Sequence, residues 1–298
     1  MYYKPESKRL DDKVRAECKD GAFIRLSAGM THYKKEGSGE KYAVLVHGYA
    51  TPYFIYDKVS QGLTEAGYTV YRYDLFGRGL SDRPKTKYTA DFFAKQLDEF
   101  VSALLPEKEF VLIGTSMGGI VTTTYLSKYG NRIKKLVLLA PAGMPYDLPL
   151  PMRLCKIKGL GELLFYVAKG RQERACADEI IKSGEEVREA YRKKFSYYAQ
   201  FKGLRYATLS SLRHTLTNFK KSTQGYLGVA EKRIPTLVIW GTDDKTMPYY
   251  QSETMKKYLP EMRLITYQGS GHVFLYDEGD RTVKDILPFI DDAPRQTE

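Results

Sequence analysis

A short glycine-flanked segment around Ser116 is the part of the sequence with the clearest chemistry. Residues 114–118 read Gly-Thr-Ser-Met-Gly, after an apolar run and before apolar residues at helical spacing. This order predicts a strand, a sharp turn and a helix, with the serine at the tip of the turn. Only glycine-sized neighbours leave room beside such a turn, and the helix start would supply N–H groups near an oxyanion. The segment predicts a nucleophilic serine that needs a base.

Four histidines are candidates for that base. His32 lies in a predicted N-terminal strand, where we expect an exposed or structural role, and His214 lies in a predicted helix. His47 ends a central predicted strand but precedes the serine, which is the wrong chain order for a Ser–acid–His triad. His272 follows the last predicted strand in a glycine-rich loop, at the edge where parallel sheets bind ligands. We therefore predict that His272 is the base for Ser116.

The acid that orients this base is expected between Ser116 and His272 in the chain. Two adjacent aspartates, Asp243 and Asp244, follow the strand predicted before the last one. We choose Asp244 and keep Asp243 as the alternative. The aspartate that is not used would form or cap the turn.

Two backbone N–H groups are expected to stabilise the oxyanion, since the fold holds them in place and they do not titrate. One belongs to Met117, the residue after the serine. The other belongs to the loop after the strand that ends at His47, where we choose Tyr49. Loss of one such donor typically costs about 3 kcal/mol of transition-state stabilisation. The chemistry needs neither a metal nor an organic cofactor.

The rest of the pattern alternates strands and helices. Beyond a short hairpin at residues 23–34, runs of apolar, aromatic or β-branched residues predict strands at 42–46, 68–74, 110–113, 133–140, 236–240 and 263–267. Helices are predicted between or after them at 53–66, 89–105, 252–258 and 281–290. Residues 1–20 read as a loose polar arm or a short helix. The alternation predicts an α/β fold with a mostly parallel sheet flanked by helices.

The alternation stops between residues 145 and 232. Helices are predicted there at 160–167, 176–181, 185–198 and 204–218. We interpret this segment as a helical insertion that caps the site, between a first core part (1–144) and a second core part (233–298). The helical insertion holds 17 Lys plus Arg against 9 Asp plus Glu, so its net charge of +8 is most of the chain's +11. Such a basic surface could attract anionic substrates or associate weakly with an anionic membrane surface.

Composition excludes several other classes of protein. The 298 residues are 43% hydrophobic and 28% charged, which is typical of a globular protein. No apolar run approaches the roughly 20 residues that span a bilayer, and the first residues do not read as a secretory signal. Three scattered cysteines favour a reducing compartment over a disulfide framework or a zinc site, so we expect a cytoplasmic protein. No nucleic-acid-binding module is present.

Several motifs together resemble the α/β-hydrolase superfamily, in its capped group of esterases, lipases and carbon–carbon hydrolases. In chain order they are His47-Gly48, Asp74-x-x-Gly77-x-Gly79-x-Ser81, Gly114-x-Ser116-x-Gly118-Gly119, Trp240-Gly241-x-x-Asp244-x-x-x-Pro248 and Gly271-His272. The resemblance implies an α/β-hydrolase fold and supports Asp244 over Asp243, since the family acid lies three residues past the glycine of Trp-Gly. Relatives that cleave epoxides or carbon–halogen bonds use aspartate as nucleophile, so Ser116 disfavours those activities.

Three functions remain on these grounds. The first is hydrolysis of small-molecule or lipid carboxylic esters through an acyl-enzyme on Ser116. The second is carbon–carbon hydrolysis of a vinylogous diketone, in which Arg171, Arg174 or Arg213 would bind a second carboxylate. The third is a non-catalytic ligand-binding member of the fold, against which an intact triad argues.

Overall fold

Eight strands form one sheet in the computed structural model, which describes residues 2–130, 132–167 and 171–292, with the backbone alone at 171–173. The strands are β1 (Ala22–Leu26), β2 (Gly29–Glu36), β3 (Lys41–Val46), β4 (Tyr68–Tyr73), β5 (Phe110–Thr115), β6 (Ile133–Leu139), β7 (Thr236–Gly241) and β8 (Arg263–Tyr267). Their order across the sheet is β1-β2-β4-β3-β5-β6-β7-β8. The β1–β2 hairpin is antiparallel and joins β4 in antiparallel orientation, whereas the six strands from β4 to β8 run parallel. The predicted sheet is confirmed.

The central strands are buried on both faces, as their apolar runs predict. Val44, Leu45 and Val46 of β3 are fully buried, and every residue of β5 and β7 is buried. Side chains alternate between the two faces of a strand, so such strands need cover on both faces. Helices on the connections between parallel strands supply that cover.

The described part of the chain holds helices before, between and after the strands. They are α1 (Asp12–Ala16), α2 (Asp57–Glu65), α3 (Ala90–Leu104), α4 (Met117–Lys128), α5 (Leu150–Cys155), α6 (Leu160–Val167), α7 (Arg171–Asp178), α8 (Glu185–Ala199), α9 (Leu204–Ser211), α10 (Phe219–Glu231), α11 (Tyr250–Lys256), α12 (Phe274–Asp277) and α13 (Gly279–Asp291). A 3₁₀ turn at Tyr53–Tyr56 precedes α2, and a π-helical turn at Leu212–Leu216 follows α9. α2 packs against α12 and α13, and α4 packs between α3 and α10, so two groups of helices flank the sheet.

The helical insertion supplies α5 to α10 between β6 and β7. The helix predicted at 176–181 is wrong in position, because the observed helix α7 ends at Asp178. The helices α5, α10 and α12 were not predicted. α5 begins beside Pro149 and Pro151, where proline is tolerated because the first N–H groups of a helix have no partner. α10 packs against α4. The division of the chain into two core parts and an insertion stays a prediction.

A buried ion pair joins β2 to the loop after β4. His32 Nδ1 lies 2.8 Å from Asp74 Oδ2, and His32 Nε2 lies 2.7 Å from the carbonyl oxygen of Asp20. Both neighbouring atoms are hydrogen-bond acceptors, so both ring nitrogens carry hydrogen and the ring is positively charged. Burial opposes this charge, but the hydrogen bonds to Asp74, Cys18 and Asp20 and the charge of Asp74 together outweigh burial and raise the pKa of His32 to about 10. Of the two roles expected for His32, the structural one is confirmed.

Asp74 in turn fixes the loops that approach the carboxyl edge of the sheet. Its Oδ1 accepts a hydrogen bond from the N–H of Tyr53 at 3.0 Å, and its Oδ2 accepts one from the N–H of Leu80 at 3.0 Å. A carbon at the Cβ position of Gly79 would lie 1.9 Å from Asp74 Oδ2, so only glycine fits there. The His32–Asp74 pair therefore holds the loops that follow β3 and β4.

Replacement of His32 by glutamine is expected to lower the free energy of unfolding by about 3–5 kcal/mol, because it leaves the buried Asp74 carboxylate without its cation. The folded-state pKa of His32, about 10, lies above the unfolded value. Stabilisation is therefore complete below about pH 6.5 and declines as the pH rises toward the folded value. Urea unfolding of the wild type and the variant at pH 6 and pH 10 measures this difference.

His214→Gln is the matched control, since His214 is half-buried and has no carboxylate partner in the described part of the chain. It should change stability little at either pH. Equal stability of His32→Gln and the wild type at pH 6 would show that the pair does not stabilise the fold.

Candidate active site

Ser116 lies at the turn between β5 and α4, in a backbone conformation that side chains rarely adopt. Its φ is 51° and its ψ is −122°. Such a conformation costs on the order of 1–3 kcal/mol and persists only where neighbouring structure enforces it. A Cβ at Gly118 would lie 2.1 Å from the carbonyl oxygen of Val46, and one at Gly114 would lie 2.7 Å from that of Gly118. Gly118 thus lets the turn pack against β3 and Gly114 lets α4 pack against β5, so both positions need glycine, as the sequence predicts.

His272 and Asp244 meet at the same edge of the sheet, after β8 and β7. His272 Nδ1 lies 2.7 Å from Asp244 Oδ2. The other oxygen of Asp244 accepts hydrogen bonds from the N–H groups of Thr246 (2.9 Å) and Met247 (2.6 Å), so the carboxylate cannot rotate freely. Asp243 is exposed, and its carboxylate accepts a bond from Thr242 instead. The structure therefore brings Asp244, and not Asp243, to the imidazole.

The environment of His272 makes its ring a stronger base than an ordinary histidine. Burial lowers its pKa, but the charge and hydrogen bond of Asp244 and the charge of Glu179 outweigh burial and raise the pKa above the ordinary value. Since Nδ1 is bound to Asp244, Nε2 is the nitrogen left for proton transfer. Nε2 has no hydrogen-bond partner among the described residues.

Ser116 and His272 line one cavity of about 560 Å³. Within the described ranges no hydrogen bond joins the serine hydroxyl to the imidazole. Such contacts are often long or poorly aligned before substrate binds and tighten in the complex. Ser116 and His272 therefore face the same cavity, and Asp244 is bound to Nδ1 of the His272 ring.

The two amides predicted to bind an oxyanion lie on either side of Ser116. Among the described residues, neither the N–H of Tyr49 nor that of Met117 donates to another backbone or side-chain group. The N–H of Met117 is at the start of α4, where the helix dipole favours negative charge. A Cβ at Gly48 would lie 3.0 Å from Ser116 Cβ, which shows how closely the Tyr49 loop approaches the serine.

His47 joins this loop to the loop after β4 by two hydrogen bonds. Its Nε2 accepts the N–H of Leu75 at 2.9 Å, so its Nδ1 carries the hydrogen and donates to the carbonyl oxygen of Gly48 at 2.9 Å. Burial lowers the pKa of His47 to about 4, so the ring is neutral at pH 7. With both nitrogens engaged, His47 is not available as a base for Ser116.

Two residues near the site were not identified from the sequence. Arg78 is fully buried and donates from Nε to the carbonyl oxygen of Tyr49 (2.9 Å) and from Nη2 to Ser211 of α9 (2.9 Å). Glu179 follows α7 and accepts a hydrogen bond from the N–H of His272 at 3.0 Å. Arg78 lies inside a recognised glycine motif, whereas no sequence signal places Glu179 beside His272.

The cavity wall is mostly apolar and comes largely from the helical insertion. Its apolar lining includes Ile55, Met152, Phe165, Ala175, Phe195, Leu204, Leu212, Leu216, Met247 and Val273. The charged side chains that line it are Glu6, Glu179 and Arg205, together with His272 if protonated. Arg205 Nη1 lies 3.3 Å from Glu6 Oε2, so this cation is already paired.

The arginines predicted to bind a second carboxylate do not line the cavity among the described side chains. Arg213 forms ion pairs with Glu162 and donates to the carbonyl oxygens of Cys155 and Ile157. Arg174 is exposed, and the side chain of Arg171 lies outside the described residues.

Among the described residues, no group of three or more His, Cys, Asp or Glu side chains is arranged to hold a metal ion. In the same part of the chain, no helix is both long and apolar enough to cross a membrane.

Comparison of the sequence with curated proteins finds relatives of several activities. The chain is 25% identical to cis-3-alkyl-4-alkyloxetan-2-one decarboxylase of Shewanella oneidensis, over 90% of this chain and 87% of that protein. It is 25% identical to 2-hydroxy-6-oxononadienedioate/2-hydroxy-6-oxononatrienedioate hydrolase of Escherichia coli, over 97% and 99%. It is 26% identical to monoacylglycerol lipase ABHD6 of Mus musculus over 66% of this chain, and it spans 59% of that lipase.

Solved structures and family comparison agree on the fold. An esterase from Exiguobacterium antarcticum superposes with a TM-score of 0.76 at 20% identity, covering 91% of this chain and 100% of the esterase. At this identity the likeness concerns the fold alone. Residues 44–279 match the family described as alpha/beta hydrolase fold. The chain therefore belongs to the α/β-hydrolase family.

Proposed function

We propose that this protein is a serine hydrolase of carboxylic esters, with Ser116 as nucleophile, His272 as base and Asp244 as the acid that orients it. The observation that carries the proposal is the 2.7 Å bond between Asp244 and His272, in a cavity that Ser116 also lines. The strained turn at Ser116 and the two free amides beside it add support. Together they supply the parts that acyl transfer requires.

The reaction follows from these positions. His272 Nε2 takes the proton of the Ser116 hydroxyl while the serine oxygen forms a bond to the ester carbonyl carbon. The carbonyl electrons move to oxygen, and the N–H groups of Tyr49 and Met117 bind the resulting oxyanion. The alcohol leaves as its carbon–oxygen bond breaks, with the proton from His272. Water, deprotonated by the same ring, then releases the acid and restores Ser116.

Asp244 acts through His272 in this proposal. Its carboxylate holds the Nδ1–H tautomer and stabilises the imidazolium that forms during the reaction. The raised pKa of His272 means that the ring is protonated, and therefore inactive as a base, to a higher pH than an ordinary histidine. We expect activity to be lost as the pH falls through that value.

The cavity favours a neutral, apolar acyl group. Its wall is lined mainly by apolar side chains of the helical insertion, which we propose acts as a cap over the site. Glu179 places negative charge beside His272, which disfavours substrates that carry a second carboxylate there. For this reason we assign ester hydrolysis rather than cleavage of the diketone dicarboxylates that the E. coli relative's name describes.

A ligand-binding role without catalysis is less well supported. Such a role does not need a strained serine, an oriented imidazole and two free amides at one place. These features carry a cost in stability, and their coincidence is what catalysis requires.

Replacement of Ser116 by alanine is expected to lower kcat for p-nitrophenyl ester hydrolysis by at least about 10³-fold, because the nucleophile is removed. The same variant should no longer be labelled by a fluorophosphonate probe. Ser127→Ala is the matched control, since Ser127 is exposed on the same helix α4. Undiminished turnover or labelling of Ser116→Ala, at the level of the control, would refute the proposal.

The apolar cavity predicts that kcat/KM rises from acetyl to medium-length acyl esters. Each methylene buried in the cavity should stabilise the transition state by up to about 0.8 kcal/mol. Leu216→Trp should narrow the cavity that Leu216 lines and shift the optimum to shorter chains. Leu227→Trp, on the exposed face of α10, should leave the optimum unchanged. A series of p-nitrophenyl esters measures both effects. A maximum at acetyl in the wild type would contradict an acyl-binding role for the cavity.

We also propose that the helical insertion associates weakly with anionic lipid surfaces. Leu150, Ile157 and Leu163 of the α5–α6 region are more than half exposed, and the exposed Lys156 and Lys158 flank Ile157 in the chain. Apolar and basic side chains presented together favour binding at the interface of an anionic bilayer.

Charge reversal of Lys156 and Lys158 to glutamate is expected to lower binding to phosphatidylserine vesicles by at least about tenfold, since each basic residue contributes about 1 kcal/mol near such a surface. The control is the double reversal of Lys257 and Lys284, which are exposed in the second core part. Vesicle sedimentation at low and high salt measures binding. Equal binding of the two double variants would contradict a surface on the helical insertion.

A further inference from the structure

Glu179 is a carboxylate of the helical insertion that is buried in the candidate active site. The residue is only 5% exposed and lies directly after α7, where the helix has ended. Its Oε2 accepts the N–H of His272 at 3.0 Å, and its Oε1 accepts the hydroxyl of Thr246 at 3.1 Å. A longer contact of 3.5 Å joins Oε2 to the N–H of Lys245. One side chain therefore binds both loops that carry the base and the acid.

Glu179 lies so close to the loop of His272 that only glycine fits at position 271. A Cβ at Gly271 would lie 2.4 Å from the carbonyl oxygen of Glu179 and 2.9 Å from its Oε2. Any larger side chain at this position would displace either the helical insertion or the loop before His272. In this protein, the glycine before the histidine is thus also required by contact with Glu179.

A second contact anchors the same segment. The N–H of Lys182 donates to Asp277 Oδ2 at 2.6 Å, beyond His272 in the chain. The segment from Glu179 to Lys182 therefore binds the chain at His272 and again at Asp277. If the segment moved with the helical insertion, the histidine loop would lose both contacts.

Burial of the Glu179 carboxylate is unfavourable by itself, because the carboxylate loses its contact with water. A buried carboxylate is stabilised by donors or by a cation. Among the described residues Glu179 forms no ion pair with lysine or arginine, and its partners are the neutral donors named above. The charge of Glu179 acts on the ring of His272, and it stabilises the imidazolium when that ring is protonated.

We propose that Glu179 is a positioning residue of the ester hydrolase, which joins the helical insertion to the loops of His272 and Asp244 and stabilises the imidazolium by its charge. This inference rests on the proposed function. Asp244 and Glu179 are the charged groups that face His272 from the elements packed against it in the described part of the chain. Asp244 fixes the ring, and Glu179 fixes the backbone that carries the ring.

The charge of Glu179 has a measurable consequence for proton transfer. Together with Asp244, it offsets burial and raises the pKa of His272. Glu179→Gln keeps the size of the side chain and an oxygen acceptor but removes the charge. The pKa of His272 should therefore fall, and the acidic limb of the pH profile should move to lower pH.

The experiment compares Glu179→Gln with Glu186→Gln, which removes a carboxylate on the exposed start of α8. The kcat/KM profile for a p-nitrophenyl ester is measured from pH 4 to 9, and the imidazole of His272 is titrated by NMR in the same proteins. We expect Glu179→Gln to shift both midpoints downward and to lower kcat, with KM nearly unchanged. Glu186→Gln should match the wild type.

The outcomes separate this inference from the proposed function. If Ser116→Ala abolishes turnover but Glu179→Gln keeps the wild-type midpoint by both methods, ester hydrolysis stands and the role of Glu179 is refuted. If no variant or wild type hydrolyses esters, the NMR titration still tests whether Glu179 affects the ring. Should Glu179→Gln fail to fold, Glu179→Asp replaces it: the shortened side chain withdraws the carboxylate, and a smaller shift in the same direction is expected. An unchanged midpoint would again refute the inference.

Discussion

The strained backbone of Ser116 is the constraint on which the rest of the site depends. A positive φ at a residue with a side chain is unfavourable by itself, so the surrounding chain must enforce it. The carbonyl oxygen of Val46 leaves space only for a glycine at position 118, and the turn between β5 and α4 places the largely buried serine at the cavity wall. Parallel pairing of β3 with β5, which aligns Val46 with Gly114, brings the Tyr49 loop to the same point.

The helical insertion both lines the cavity and contacts the loops at this edge of the sheet. It supplies most of the apolar cavity wall, and it contacts the loops of Tyr49 and His272 through polar groups: the Tyr49 hydroxyl donates to the carbonyl oxygen of Thr208, Arg78 joins Tyr49 to Ser211, and Glu179 binds the His272 loop. Displacement of the helical insertion would therefore loosen both loops together. In the proposed mechanism, substrate binding and the geometry of proton transfer are coupled through the same helices.

Much of this arrangement could be predicted from the sequence, because the signals involved are local. Apolar runs of strand length marked the parallel strands, and the chain order of Ser116, Asp244 and His272 pointed to residues that the fold brings to one edge. Helix positions in the helical insertion were less predictable. There, α7 was placed about five residues too late at its start, and α5 and α10 were not predicted.

Contacts between distant segments could not be predicted. Glu179 reaches His272 across 93 positions of the chain, and its neighbours in sequence give no indication of that contact. The arginines of the helical insertion looked suitable for a second carboxylate, but orientation decides their role, and Arg213 is bound to Glu162 outside the cavity lining. Hydrogen-bond partners likewise decide the charge of the two fully buried histidines: His32 is charged beside Asp74, whereas His47 is neutral between an amide and a carbonyl group.

The most direct test of covalent catalysis at Ser116 is mass spectrometry of the protein quenched in acid during turnover of a slowly hydrolysed p-nitrophenyl ester. The proposed mechanism predicts one added acyl group, located by peptide mapping on the peptide that contains Ser116, which forms far more slowly in His272→Ala. Rapid turnover in the wild type with the acyl group on another residue, or undiminished acylation in His272→Ala, would contradict it.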